Sequence, residues 1–223
     1  EGFHNVEYAW AAKAEAEAHI RKWIAERKAT CVIHGLRPGE WFRHQAKAWQ
    51  EAKKDMKNRQ RELYAKSAEE SLRSGVDPEM PIVESDADLH ALDAGGEPMY
   101  MNWQYEDWLL LCFRYEYHLL CHAFMEDAED DIIMGVPEQH ISHYYSLYFG
   151  GNSSPKSLGC SDFSQVLKLM EDSLRFVERG AHRFLVPVRE KSAALPFFVK
   201  TTEEQRRDRV RRIEAGEESA RLK

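Results

Sequence analysis

The chain has 223 residues, 43% of them hydrophobic and 11% aromatic, which is enough to bury one sizeable core or two small ones. Its longest apolar stretch, around Trp108 to Cys112, is flanked by Glu106, Asp107 and Arg114 and falls well short of the ~18 residues a membrane-spanning helix requires. The net charge of −7 is uneven, at +4 over residues 1–75, −14 over 76–185 and +3 over 186–223, so the acidic middle disfavours extended nonspecific contact with a nucleic-acid duplex and leaves only the basic arms for local contact.

Residues 9–29 are Ala-rich, with Trp10, Ile20, Trp23 and Ile24 among alternating charges, and read as a helix with a thin apolar stripe. Gly35-Leu-Arg-Pro-Gly39 breaks it, and Pro38 suits the first turn of a second helix from about Glu40 to Leu72 that carries Trp41, Phe42, Trp49, Met56, Leu63 and Tyr64. Residues 1–73 are therefore expected to form a helical hairpin that packs on a neighbour, because its stripe is too thin for an independent core. Residues 74–101, rich in Pro, Gly and acidic side chains, read as a linker.

Asn102 is the expected cap of a helix running to about Met125. At 100° per residue, Asp107, Arg114, His118 and His122 share one sector, and Leu109, Phe113, Leu120 and Phe124 lie opposite. Glu116 falls in the middle of the apolar side, where an unpaired carboxylate is costly, so it needs a Tyr, Arg or backbone partner. After the acidic loop 126–131, Pro137 opens a short helix with Ile141, Tyr144, Tyr145 and Tyr148. Ser161 is the expected cap of a third helix over 162–179, striped by Phe163, Val166, Leu167, Met170, Leu174 and Val177. Arg183–Val188 and Leu195–Val199 read as a strand pair. Thr201-Thr-Glu-Glu204 resembles a capping box opening a basic helix over 200–223, with Arg206, Arg207, Arg209, Arg211 and Arg212.

This order of helix, short helix, Gly-containing turn, helix and strand pair is that of a winged helix-turn-helix over residues 102–199. Within it, Tyr144-Tyr-Ser-Leu-Tyr-Phe-Gly150, Ser157-Leu-Gly-Cys160, Phe163-Ser-Gln-Val-Leu-Lys-Leu-Met170 and Phe184-Leu-Val-Pro-Val188 resemble the LOTUS (OST-HTH) family. The specific matching is confined to 140–188, and the chain departs from the family in its longer, aromatic first helix, its acidic insertion at 126–131 and Cys160 after the glycine. The resemblance implies a non-catalytic, RNA-associated module that binds RNA, including guanine-rich structured RNA. In its extended form, with a further C-terminal helix, such a module binds a DEAD-box helicase. The predicted architecture is thus mostly α: a helical hairpin, a winged helix with a small β-wing, and a C-terminal helix.

Two basic sets are candidate contacts for RNA or an acidic partner: Lys168, Arg175 and Arg179, expected on one edge of the third helix, and the five arginines of the last helix. A purely protein-binding scaffold is the alternative, with the acidic loop meeting a basic partner. A third reading is a histidine metalloenzyme, since His118/His122 and His140/His143 have i,i+4 and i,i+3 spacings, but no HExxH or ExxH carboxylate accompanies them and no metal or other cofactor is expected. No P-loop, nucleophile elbow or dinucleotide fingerprint occurs. Cys31, Cys112, Cys121 and Cys160 form no CxxC pair and read as reduced thiols of a cytoplasmic or nuclear protein. A chain starting at Glu1 and ending in a charged helical run reads as a piece of a longer one.

Overall fold

A computed structural model describes residues 6–74, 98–130 and 133–222. The protein is mostly helical, with a small three-stranded antiparallel sheet. In chain order it contains α1 (Lys13–Thr30), α2 (Glu40–Ser74), α3 (Tyr105–Asp127), β1 (Val136–Pro137), α4 (Ile141–Phe149), α5 (Phe163–Lys168), β2 (Leu174–Arg179), β3 (His182–Pro187) and α6 (Leu195–Glu214). The sheet order is β1-β3-β2, with Val136 opposite Leu185 and Phe176 opposite the same Leu185 from the other side. Most of the expected linker, residues 75–97, and Asp131 of the acidic loop lie outside the described residues.

The centre is α3. The expected amphipathic helix, with core on one side only, is corrected: Asp107, Arg114 and His118 are as buried as Leu111 and Leu120. The apolar side meets α2, α4 and the sheet, and the polar sector lies under α6. Its cap is Gln104 rather than Asn102, with the Gln104 backbone N–H donating to Asp107 Oδ2 at 2.8 Å.

Helix α2 buries Phe42, Trp49 and Met56, a seven-residue spacing that keeps one narrow stripe on α3. Those side chains belong to the same continuous core as Leu110, Tyr144 and Leu185. The α1–α2 connection is tied to the body twice: Ile33 N–H donates to Tyr144 OH and Gly39 N–H to Asp127 Oδ2, both at 2.9 Å. A Cβ at position 39 would sit 2.2 Å from Asp127 Oδ1, so a side chain there would have to push the carboxylate off its bond to the Gly39 N–H. Helix α1 is more loosely held, leaving Ile20 and Trp23 about half exposed.

Three expected elements differ. The helix over 162–179 stops at Lys168, and residues 174–179 are strand β2; Leu174 and Val177 continue the helical period, but Leu174 and Phe176 also alternate inward, and pairing with β3 decides. Its cap is Asp162, whose carboxylate accepts from Gln165 N–H, not Ser161. Residues 195–199 are the first turns of α6 and not a strand, with Pro196 in the helix's first turn, where its missing N–H costs nothing. The last helix therefore begins six residues before Thr201, whose hydroxyl donates back to Phe197 O at 2.9 Å instead of capping.

Replacing Trp49, 1% exposed, with Ala should cost about 3–5 kcal/mol. Urea unfolding followed by far-UV circular dichroism should show one transition shifted as a whole. A loss below about 0.5 kcal/mol, within the range of surface substitutions, would mean α2 is not part of the core.

Candidate interaction surfaces and the polar network beneath them

Three polar clusters fasten the helices to one another. In the first, Glu116 accepts from Trp49 Nε1 at 2.8 Å, from Lys53 Nζ at 3.3 Å and from the Tyr145 hydroxyl, so α2, α3 and α4 meet on one carboxylate. The tyrosine partner is of the kind the sequence calls for. Burial and the Glu116 charge hold the Tyr145 phenol well above its ordinary range, so it is a permanent donor.

In the second, the fully buried Arg114 guanidinium donates to Asp172 at 3.1–3.2 Å, to Thr202 Oγ1 at 3.0 Å, to Leu169 O at 2.8 Å and to Gln205 Oε1 at 2.9 Å. In the third, Glu203 of α6 accepts from Trp103 Nε1 at 2.6 Å, from Arg206 Nε and Nη2 at 2.8–2.9 Å and from Arg207 Nε at 2.6 Å. Nearby, Arg209 donates to the buried Asp107. Burial alone would raise the Glu203 carboxyl, but the hydrogen bonds and charges of Arg206 and Arg207 outweigh it and hold the group below the usual range.

These pairs decide the fate of the expected arginine face. Arg206, Arg207 and Arg209 point into the body, onto Glu203 and Asp107, and only Arg211 and Arg212 stand on the exposed side, each paired with a neighbouring carboxylate, Asp208 and Glu217. The helix is therefore a docked component with an inner face of Phe198, Val199, Thr202, Glu203 and Arg206. Starting it at Thr201 hid Phe198 and Val199, its main apolar anchors. The other candidate set is not on one helix: Lys168 ends α5, whereas Arg175 and Arg179 share one face of β2, opposite Val186 and His182 on β3. All three are exposed.

The histidine pairs are not brought together. His118 and His122 meet edge-to-face with ring centroids 4.6 Å apart, with His118 also against Phe198 of α6, while His140 and His143 pack on Tyr144. Burial, reinforced by His122, lowers His118 to about 3, and neither of its ring nitrogens has a partner, so it is a neutral packing residue at ordinary pH. Among the described residues no three His, Cys, Asp or Glu side chains are grouped as a metal would need. Burial and Glu116 push the Cys112 thiol up to about 12, which keeps it protonated. No helix among the described residues is long and apolar enough to cross a membrane.

Comparison with protein-family models, with characterised proteins and with solved structures returns no match.

Because the folded-state Glu203 is depressed, its contribution to stability is complete above the ordinary carboxylate range and is lost as pH falls through the folded-state value. Thermal melting from pH 7 to pH 3 should show Glu203→Gln well below the parent at pH 7, with the gap closing toward pH 3. A gap that stays constant with pH would mean the Glu203 charge is not what holds Arg206 and Arg207.

Proposed function

We propose that the chain is a LOTUS-like winged helix closed by α6, and that it works by binding, as an RNA-associated adaptor. The observation that carries this reading is the order α3, β1, α4, α5, β2, β3 with antiparallel strand order β1-β3-β2. A first helix, a short strand, two further helices and a β-hairpin that pairs back on the short strand make up the winged helix-turn-helix arrangement. The docking of α6 along the polar sector of α3 supports the further likeness to the extended LOTUS form, whose added helix belongs to its helicase-binding unit.

The contact residues are revised by the geometry. Lys168 on α5 and Arg175 and Arg179 on the β2–β3 hairpin remain candidates for RNA, together with Arg211 and Arg212 at the exposed end of α6. Arg206, Arg207 and Arg209 serve the fold. A protein-binding scaffold is the second reading, favoured by that same internal use of arginine in α6 and by a short α5 with Lys168 as its single cation.

Electrophoretic shifts with single-stranded, duplex and guanine-rich RNA at two salt concentrations test the reading, alongside retention of a DEAD-box helicase core on the immobilised protein. A shift that weakens as salt rises is expected. Helicase retention with no RNA shift leaves the scaffold reading, and failure with both RNA and helicase contradicts the adaptor.

A further inference from the structure

We propose that the outward face of α2 is a track for the phosphodiester backbone of an RNA strand. Arg43, Lys47, Lys54, Lys57 and Arg61 are all exposed and follow one another at intervals of four, seven, three and four residues. At 100° per residue these intervals place all five within a sector of about 80°. At 1.5 Å per residue the row runs about 27 Å in a nearly straight line. Gln50, also exposed, fills the gap in the row.

The row is open to a ligand. Arg43, Lys47 and Lys54 make no ion pair among the described residues; Lys57 lies over the Trp108 ring at 5.8 Å and Arg61 meets only the Asn58 amide oxygen at 3.3 Å. That contrasts with α6, whose arginines are each matched to a carboxylate. On one flank stand Glu51, Asp55 and Glu62, all exposed, and on the other the helix turns into the core through Lys53 and Trp49. The positive face is therefore long and narrow.

That shape selects among polyanions. A flat anionic membrane would press on the Glu51, Asp55 and Glu62 flank and would find no large apolar side chain in the row to insert. A protein interface needs a desolvated apolar centre, which the row also lacks. A nucleic-acid strand asks for neither: it presents a linear series of phosphates that Lys and Arg neutralise with release of counterions. Just past Arg61 stands Tyr64, 46% exposed, a ring on which a base can stack. The choice of RNA rests on the adaptor reading above; the geometry of the track does not.

The test is fluorescence anisotropy of a labelled 20-nucleotide single-stranded RNA with the whole chain across a salt series. The probe proteins are the parent, the triple variant Lys47→Gln, Lys54→Gln, Arg61→Gln, the single variant Lys54→Gln and the hairpin variant Arg175→Gln, Arg179→Gln. The slope of log affinity against log salt should fall by about 2 for the triple variant and by about 0.7 for Lys54→Gln. Affinity at low salt should drop at least tenfold for the triple variant, with its melting temperature within a degree or two of the parent. If the triple variant binds as the parent does while the hairpin variant loses affinity, the track is wrong and the adaptor reading stands. A parent that binds no RNA overturns the track, and helicase retention then leaves the scaffold reading. Binding to phosphatidylserine vesicles through these lysines without RNA binding also overturns it.

Discussion

Everything around α3 depends on how one buried charge is satisfied. Arg114 sits mid-helix with no exposed surface, and an unpaired guanidinium there would cost several kcal/mol. Its guanidinium reaches forward to the segment between α5 and β2, through Leu169 O and Asp172, and across to α6, through Thr202 and Gln205. The Leu169 carbonyl also accepts from Gln205 Nε2 at 2.8 Å. A carbonyl committed to two side-chain donors is poorly placed to continue a helix, and α5 ends one residue earlier, at Lys168. From there the chain turns through Ser173 into β2. The start of the hairpin and the docked face of α6 thus meet on a single side chain.

The same network separates what the sequence reveals from what it conceals. Glu116 was legible because one carboxylate in the middle of an apolar stripe demands a partner, and it has Trp49, Lys53 and Tyr145. The Asp107–Arg114–His118 sector was legible as a polar face but not as a buried one, since a helical wheel gives direction and not cover. The cover is α6, whose true start was masked by Pro196 and Phe197-Phe-Val199, residues that suit an edge strand and a helix's first turns equally. For residues 174–179 the local period favoured a helix, and only pairing with β3, a non-local event, makes them a strand.

Charge was misleading for a related reason. Five arginines in seven residues of α6 stand out in one dimension, yet three of them turn inward to Glu203 and Asp107. Five cations spread over nineteen residues of α2, interleaved with Glu51 and Asp55, attract no notice as a run, yet they share one face. What separates a surface for polyanions from internal mortar is rotational phase and the whereabouts of the carboxylates. In α6 the carboxylates lie within reach of the arginines; in α2 they stand to one side.

Arg114 is a principal tie of α6 to the fold, and hydrogen exchange of the α6 amides in Arg114→Lys measures this directly. Lysine keeps the charge but cannot fork to Asp172, Thr202, Leu169 and Gln205 together. Amides from Phe198 to Arg206 should exchange about tenfold faster or more, equivalent to ~1.4 kcal/mol of easier opening, with α2 and α4 less affected. Unchanged protection of α6 in that variant would contradict the account.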